Sequence, residues 1–414
     1  MAELTFDTRP FMSQDSNMAV RLVKHPLPIN PHVLSWARKW AGLTEEEAAK
    51  KAGTNSVDKV KNWESPESDV SPTVRQARNL AKAYGRPFLE FFLPDLPRVE
   101  DVSLVPDFRL YQTATDPTML RLMKEIQRWA ETQRDNAINL HQEIGEAPIP
   151  FPKVLSAVTE DNPENISAIA RKIVGFTRED IEGLTGNDRN NIVNILRNKL
   201  EACGVLVLKN SNLKKIGVRG FSLTDYPLPT VVFGQESPRA QAFTIIHELG
   251  HLVLNIPSLC GYIPRAGGDK NTRKIEEWCD NFSASFLMPR EEIFGIVKPL
   301  ENPLPEISDD RLRAIANRFC VSDHAALVRL VNLNIVSADY YWNVKKPQFD
   351  AQEYRGGGRA RFYGTRFVGR QGQMYTKLVL QAWGNGAITN HKAAEYMGIK
   401  RLSHLNDIRR DFSK

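Results

Sequence analysis

Cysteine is scarce in this chain of 414 residues. There are four, at positions 203, 260, 279 and 320, and none forms a C-x-x-C pair. Such spacing argues against a disulfide framework and suits a reducing compartment, so a cytoplasmic location is expected. Long apolar runs are missing as well. No stretch reaches the ~18 residues of a membrane span, and the richest one, Phe243 to Leu254, is broken by His247, Glu248 and His251. No membrane partner is therefore expected. The first 24 residues hold Glu3, Asp7, Arg9, Asp15 and Arg21 with no apolar core between them, so no secretory signal is expected. Internal repeats and low-complexity tracts are also absent.

What is present is an ordinary globular composition, 42% hydrophobic and 25% charged. The length exceeds one ordinary core and calls for two or three domains. The net charge of +6 is unevenly spread. From Arg355 to Lys414 there are twelve Lys/Arg against three acids, a segment of +9, which leaves −3 for the rest. A basic tail suggests an anionic partner; the plainer reading is a solvated cationic surface.

Residues 1–97 read as a compact helical head. Pro31 opens a helix, Thr44 caps a second with Glu47 as its capping-box partner, and Gly53 ends it. The turn Thr54-Asn55-Ser56 leads to a third helix over Val57–Glu64, and Ser71-Pro72-Thr73 opens a fourth, with proline in its first turn. This is helix-turn-helix spacing. Residues 98–160 comprise an irregular linker and a long amphipathic helix from Thr118 to about Gly145, closed by Pro148, Pro150 and Pro152. Over 161–350, helices flank three short β-branched runs at 204–208, 217–223 and 230–233. Arg239–Leu254 reads as a helix, Pro257–Gly268 as a loop, and Asn271–Leu287 as a further helix. Gly356-Gly357-Gly358 reads as a hinge into a small basic domain, 356–414, whose Ile388–Lys400 again has helix-turn-helix character. The expected fold is α+β and mostly helical: a helix-turn-helix bundle, a central domain with a small sheet, and a basic C-terminal domain.

His247-Glu248-Leu249-Gly250-His251 is an H-E-x-x-H motif within a helical stretch. Residues four apart share one helix face, so both imidazoles can address one metal ion, and Glu248 stands one step round as a base. Zinc needs a third protein ligand if a position is to stay open for water. On the following helix Ile275, Trp278, Phe282 and Phe286 face the core, while Glu276 and Asp280 share another face. Glu276 is assigned as the third ligand, with Glu277 as its competitor, and Asp280 as the acceptor that fixes a ligand imidazole. A solvated helix charge is the plainer reading of Glu276. Cys279 reads as a small buried side chain. His25, His32, His141, His324, His391 and His404 show no ligand spacing and read as structural or surface residues. Tyr262 and Arg265, between the two helices, are candidate electrophiles, and Thr230–Phe233 is a candidate edge strand for substrate addition. The chemistry implied is peptide hydrolysis assisted by Zn2+.

The segments Phe243–Leu252, Ile275–Phe282 and Phe286-Leu287-Met288-Pro289 together resemble the ImmA/IrrE metallopeptidases. That family runs F-T-x-x-H-E-L-G-H, then E-x-x-(A/C)-N, then L-L-M-P. Its third ligand falls on Glu276. Asp280 stands where Asn is usual, which keeps an acceptor and approaches the thermolysin-like (gluzincin) E-x-x-x-D pattern. Leu43–Ala49, Trp63-Glu64, Ser71-Pro72-Thr73 and Pro87-Phe88-Leu89 are similar to XRE-type helix-turn-helix domains. The resemblance covers most of 30–335. It implies a cytoplasmic zinc endopeptidase of narrow specificity that cleaves or inactivates a repressor-like or antitoxin partner, in some members as the toxin of a toxin–antitoxin pair.

If the head binds DNA, Ser56, Lys59, Lys61 and Asn62 are the residues placed to reach it, although Asp58, Glu64, Glu67 and Asp69 would repel phosphate. The competing function is a DNA-binding transcriptional regulator whose metal site is structural or sensory; a partner-binding module with vestigial catalysis is the third. Glu248 favours the peptidase, because a purely structural zinc site has no use for a base.

Overall fold

The computed structural model describes residues 27–97, 117–256, 258–261, 270–297, 303–351 and 363–412. The chain divides into two compact units, one ending at Val99 and the other beginning at Glu100. In the first, α1 (Pro31–Trp40), α2 (Glu45–Ala52), α3 (Val57–Trp63) and α4 (Val74–Tyr84) surround a core of Val33, Leu34, Val60, Trp63, Leu80 and Tyr84. Thr44 and Glu47 form the full capping box, and Gly53 ends α2 at φ +80°. Helix α4 differs from expectation at its start. Thr73 is its N-cap, paired with Gln76, so Pro72 lies before the helix rather than in its first turn.

In the second unit the long helix is α5 (Pro117–Glu143), followed by α6 (Pro163–Val174) and α7 (Ile192–Ala202). Four strands then form one sheet: β1 (Leu206–Lys209), β2 (Val218–Leu223), β3 (Thr230–Phe233) and β4 (Ser258–Gly261), in the order β1-β3-β2-β4. β3 runs parallel to β1 and antiparallel to β2, and β4 pairs antiparallel to β2. Two expectations are corrected here. Residues 258–261, read as loop, form a strand because β2 offers them a pairing edge. Thr230–Phe233, read as an edge, lies between β1 and β2, so both its sides are taken and no substrate strand can join it.

Alternate residues of the strands enter two different cores. Val207, Val231 and Phe233 face one with α6, α7 and the helices that follow the sheet; Leu206, Leu208, Phe221 and Val232 face the other with α5. A sheet buried on both faces explains why the strands read as continuous apolar runs. Helix α8 (Pro238–Val253) lies between β3 and β4 in the chain, and after β4 come α9 (Lys270–Leu287), α10 (Arg290–Phe294), α11 (Asp309–Arg318) and α12 (Asp323–Asn332).

The basic tail was expected as a domain of its own. Instead its helices α13 (Tyr363–Gln371), α14 (Gln373–Gly384), α15 (Asn390–Tyr396) and α16 (Ser403–Phe412) share the second core, through Phe367, Tyr375, Val379 and Ile408 packed with Met123, Ile126 and Phe221. A buried ion pair fixes the join. The Arg197 guanidinium on α7 donates to the carbonyls of Gly369 at 2.9 Å and Arg370 at 3.2 Å, capping the C-terminus of α13. Its partner Glu201, 3.3 Å away, accepts from Met374 N at 2.7 Å at the start of α14. Each charge meets the helix end of opposite polarity. Gly372 lies between them at φ +89°, where a Cβ would stand 2.2 Å from Glu201 Oε1. Gly372→Ala should therefore destabilise the second unit by on the order of 2–4 kcal/mol. Urea unfolding of wild type and variant measures this, and an unchanged midpoint would contradict the clamp.

Candidate metal centre

Helix α8 starts cleanly: Ser237 accepts from Ala240 N, and Pro238 occupies its first turn. From Thr244 to Val253 every residue is buried, including His247, Glu248 and His251. A helix apolar nearly all round belongs in the centre of a domain, so its polar motif is held among packed side chains. Helix α9 lies against it. At Gly250 a Cβ would sit 3.2 Å from Cys279 Sγ and 3.3 Å from Phe282 Cδ1, so a glycine is what lets the two helices approach here. Trp278 Nε1 anchors α9 by donating to Asp161 O at 2.8 Å. Ser285 donates to Glu164 at 3.0 Å, tying α9 to α6.

This approach brings Glu276 beneath the two imidazoles. His247 Nε2 and His251 Nε2 are 3.2 Å apart, and the Glu276 carboxylate lies 3.5 Å from the first and 3.6 Å from the second. Three ligands at three corners of a zinc tetrahedron stand about 3.3–3.4 Å apart, so these atoms fit a small divalent cation. Glu277, the competitor, is exposed, and both distances belong to Glu276. Asp280 Oδ1 stands 2.9 Å from His247 Nδ1, where an acceptor fixes the tautomer that turns Nε2 towards a metal.

Cys279 competes on distance: its Sγ and ring nitrogens of the two histidines all lie within 4.8 Å of one another. The thiol, however, packs against Gly250 between the helices. Burial, reinforced by the charges of Glu276, Glu248 and Asp280, pushes it well above the ordinary thiol range. A protonated thiol is a poor ligand, whereas a carboxylate binds as it stands.

Glu248 leaves this face and turns towards β2. A Cβ at Gly220 would come within 2.9 Å of its Oε1 and 2.8 Å of Thr244 Cγ2, so the glycine makes room for the carboxylate against the sheet. Nothing in the sequence marks Gly220 for this role. Gly250 carried a weak signal, a residue without side chain inside a helical motif. A cleft of about 350 Å3 begins beside Asp280 and Phe243 and is bounded by Arg219, His324 and Tyr341. His324, read from the sequence as ordinary, stands 2.9 Å from Tyr341 Oη. Burial and the Arg219 charge push its pKa below the usual imidazole value, so it is neutral at pH 7.

Tyr262 and Arg265 lie outside the described residues. In the first unit Lys59, Lys61 and Asn62 are exposed on α3 and Ser56 is half-buried at its start, without making a cap hydrogen bond. Lys61 stands 3.9 Å from Glu45. Glu64, expected to repel phosphate, is instead held by Arg38 through two bonds of 2.8 Å.

Residues 201–331 match the Peptidase_M78 family model, described as the IrrE N-terminal-like domain, a span that contains the four strands β1–β4, the helices α8–α11 and most of α12. No curated protein matches the chain. The match supports a metallopeptidase of the IrrE/ImmA kind and suggests a metal ion. Among the described residues no helix is long and apolar enough to cross a membrane.

Burial works against a charged imidazole at position 247, but Asp280 and Glu276 outweigh it and raise His247 to about 10. Without metal this ring therefore carries a proton at neutral pH, and a metal must displace it. Apparent zinc affinity should fall about tenfold for each pH unit below that value. Competitive chelator titrations at about pH 6.5, 7.5 and 8.5 check this; an affinity independent of pH would contradict it.

Proposed function

We propose that the chain is a zinc-dependent, site-specific endopeptidase directed at a repressor-like or antitoxin protein, in one form the toxin of a toxin–antitoxin pair. In this reading 161–350 carry the chemistry and 1–97 contribute recognition. The observation that carries it is the triangle of His247, His251 and Glu276 with edges of 3.2–3.6 Å, beside a buried Glu248 one step round the same helix.

His247, His251 and Glu276 would hold the zinc. When bound, zinc supplies a Lewis acid that lowers the pKa of water and polarises a carbonyl. The chain's own part is proton transfer and positioning. Glu248 takes a proton from the attacking water and returns it to the leaving amide nitrogen. Gly220 keeps that carboxylate close to β2, and Asp280 keeps the His247 ring in one tautomer. Substrate adds to the outer side of β4, which pairs with no other strand among the described residues. The cleft beside Asp280 takes a substrate side chain, and the hydrogen-bonded pair of neutral His324 and Tyr341 leaves one donor on its wall.

A second reading, a DNA-binding regulator with a structural or sensory metal site, gains from the Arg38–Glu64 pair. With Glu64 neutralised, Lys59 and Asn62 are exposed on α3 beside fewer repelling charges. The helices of the basic tail are the other candidate for nucleic acid.

Glu248→Gln separates the readings. The peptidase reading expects the variant to keep about one zinc per chain by elemental analysis and to lose the biological effect by at least about a hundredfold. An undiminished effect favours the regulator.

A further inference from the structure

A second cavity, of about 260 Å3, opens where the parallel strands β1 and β3 end side by side at Lys209 and Phe233. Ligands favour the space beyond the carboxyl ends of parallel strands. Its lining holds two cations, Arg197 and Lys209, and four carboxamides, Asn190, Asn194, Gln235 and Gln241, with no carboxylate among them. The two cations differ in what they meet. Arg197 spends its N–H groups on the carbonyls of Val207, Gly369 and Arg370, and Glu201 balances its charge at 3.3 Å. Lys209 is half-buried, and its Nζ donates to Gln241 Oε1 at 3.3 Å, its one acceptor among the described residues. The ammonium also stands 5.7 Å from the centre of the Phe233 ring.

A half-buried ammonium without a counter-ion is costly, and a cavity rimmed by carboxamides without an acid accommodates an anion. Gln241 already donates to Glu236 O at 2.6 Å, and Asn194 donates one N–H to Asn191 Oδ1 at 2.9 Å and keeps a second. Burial and the Arg197 charge push the Lys209 pKa down, as expected for a cation that lacks a partner. A phosphate offers more acceptor oxygens than a carboxylate and so matches several amide donors at once.

We propose that this cavity binds the phosphate group of a small molecule, with Lys209 as its charged ligand and the amides of Asn190, Asn194 and Gln235 as neutral donors. The bound group joins the strand ends, through Lys209 and Gln235, to the approach and start of α7, through Asn190 and Asn194; Gln241 at the start of α8 and Gly369 on α13 line the wall of the same cavity. Occupancy therefore stabilises the folded second unit. The site involves none of the metal-centre residues and stands whether or not the peptidase reading holds.

Thermal unfolding and calorimetric titration of the full chain test this. The probes are inorganic phosphate, adenosine monophosphate and, as control, acetate, all at matched ionic strength. The expected result is saturable binding with a rise in Tm for phosphate, for the nucleotide or for both, and none for acetate. A response to phosphate alone assigns a free anion; a stronger response to the nucleotide assigns a phosphorylated metabolite. Lys209→Met should weaken binding at least about tenfold, Lys209→Arg should retain it, and Gln235→Glu should abolish it by supplying a carboxylate. No saturable binding of either phosphate probe to wild type, or equal binding by Lys209→Met and Gln235→Glu, would overturn the assignment.

Discussion

Helices α8 and α9 can share one cation because α8 has no side chain at Gly250. A methyl group there would press on Cys279 and Phe282 at 3.2–3.3 Å, and the distance from Glu276 to the imidazoles depends on that contact. The rest of the second unit holds the pair of helices in register. Trp278 fixes one end of α9 to Asp161, Ser285 ties it to α6 through Glu164, and the apolar flank of α8 is enclosed by the core beneath the sheet. The three proposed ligands sit on two packed helices, an arrangement that would set the geometry of a metal site before a metal arrives.

The same sheet serves both ends of α8. On one side Gly220 of β2 admits Glu248; at the other, the ends of β1 and β3 open the cationic cavity where α8 begins. The C-terminal helices close the second core against the far face of the strands. Arg197 and Glu201 fasten that closure, one at the end of α13 and the other at the start of α14. A buried ion pair without hydrogen-bonding partners is a poor stabiliser; here backbone carbonyls satisfy Arg197 and Met374 N satisfies one oxygen of Glu201, while burial raises the Glu201 carboxyl to about 7.

The metal motif was legible because a helix writes its faces into sequence spacing. His247 and His251 at four apart, and Glu276 and Asp280 at four apart on an otherwise apolar helix, needed only the helical period to be grouped. Capping told as much about the first unit, where Thr44, Glu47 and Gly53 bounded α2 correctly. Sheet order was not legible, because pairing partners are set by tertiary contact. β3 read as an edge and Ser258–Gly261 as a loop, since four residues carry too little periodicity to declare a strand. The tail read as a separate domain because charge and a glycine run were conspicuous, while the apolar face formed by Phe367, Tyr375 and Val379 was spread over two helices. Gly220 and Gly372 were invisible for a different reason: each matters through what a Cβ would strike, which only the folded chain defines.

The central claim, that one cation is held by two imidazoles and the Glu276 carboxylate rather than by the Cys279 thiol, is tested most directly by X-ray absorption at the zinc edge of the zinc-loaded chain. The account predicts a shell of nitrogen and oxygen at about 2.0–2.1 Å and no sulfur. A sulfur scatterer at about 2.3 Å would contradict it.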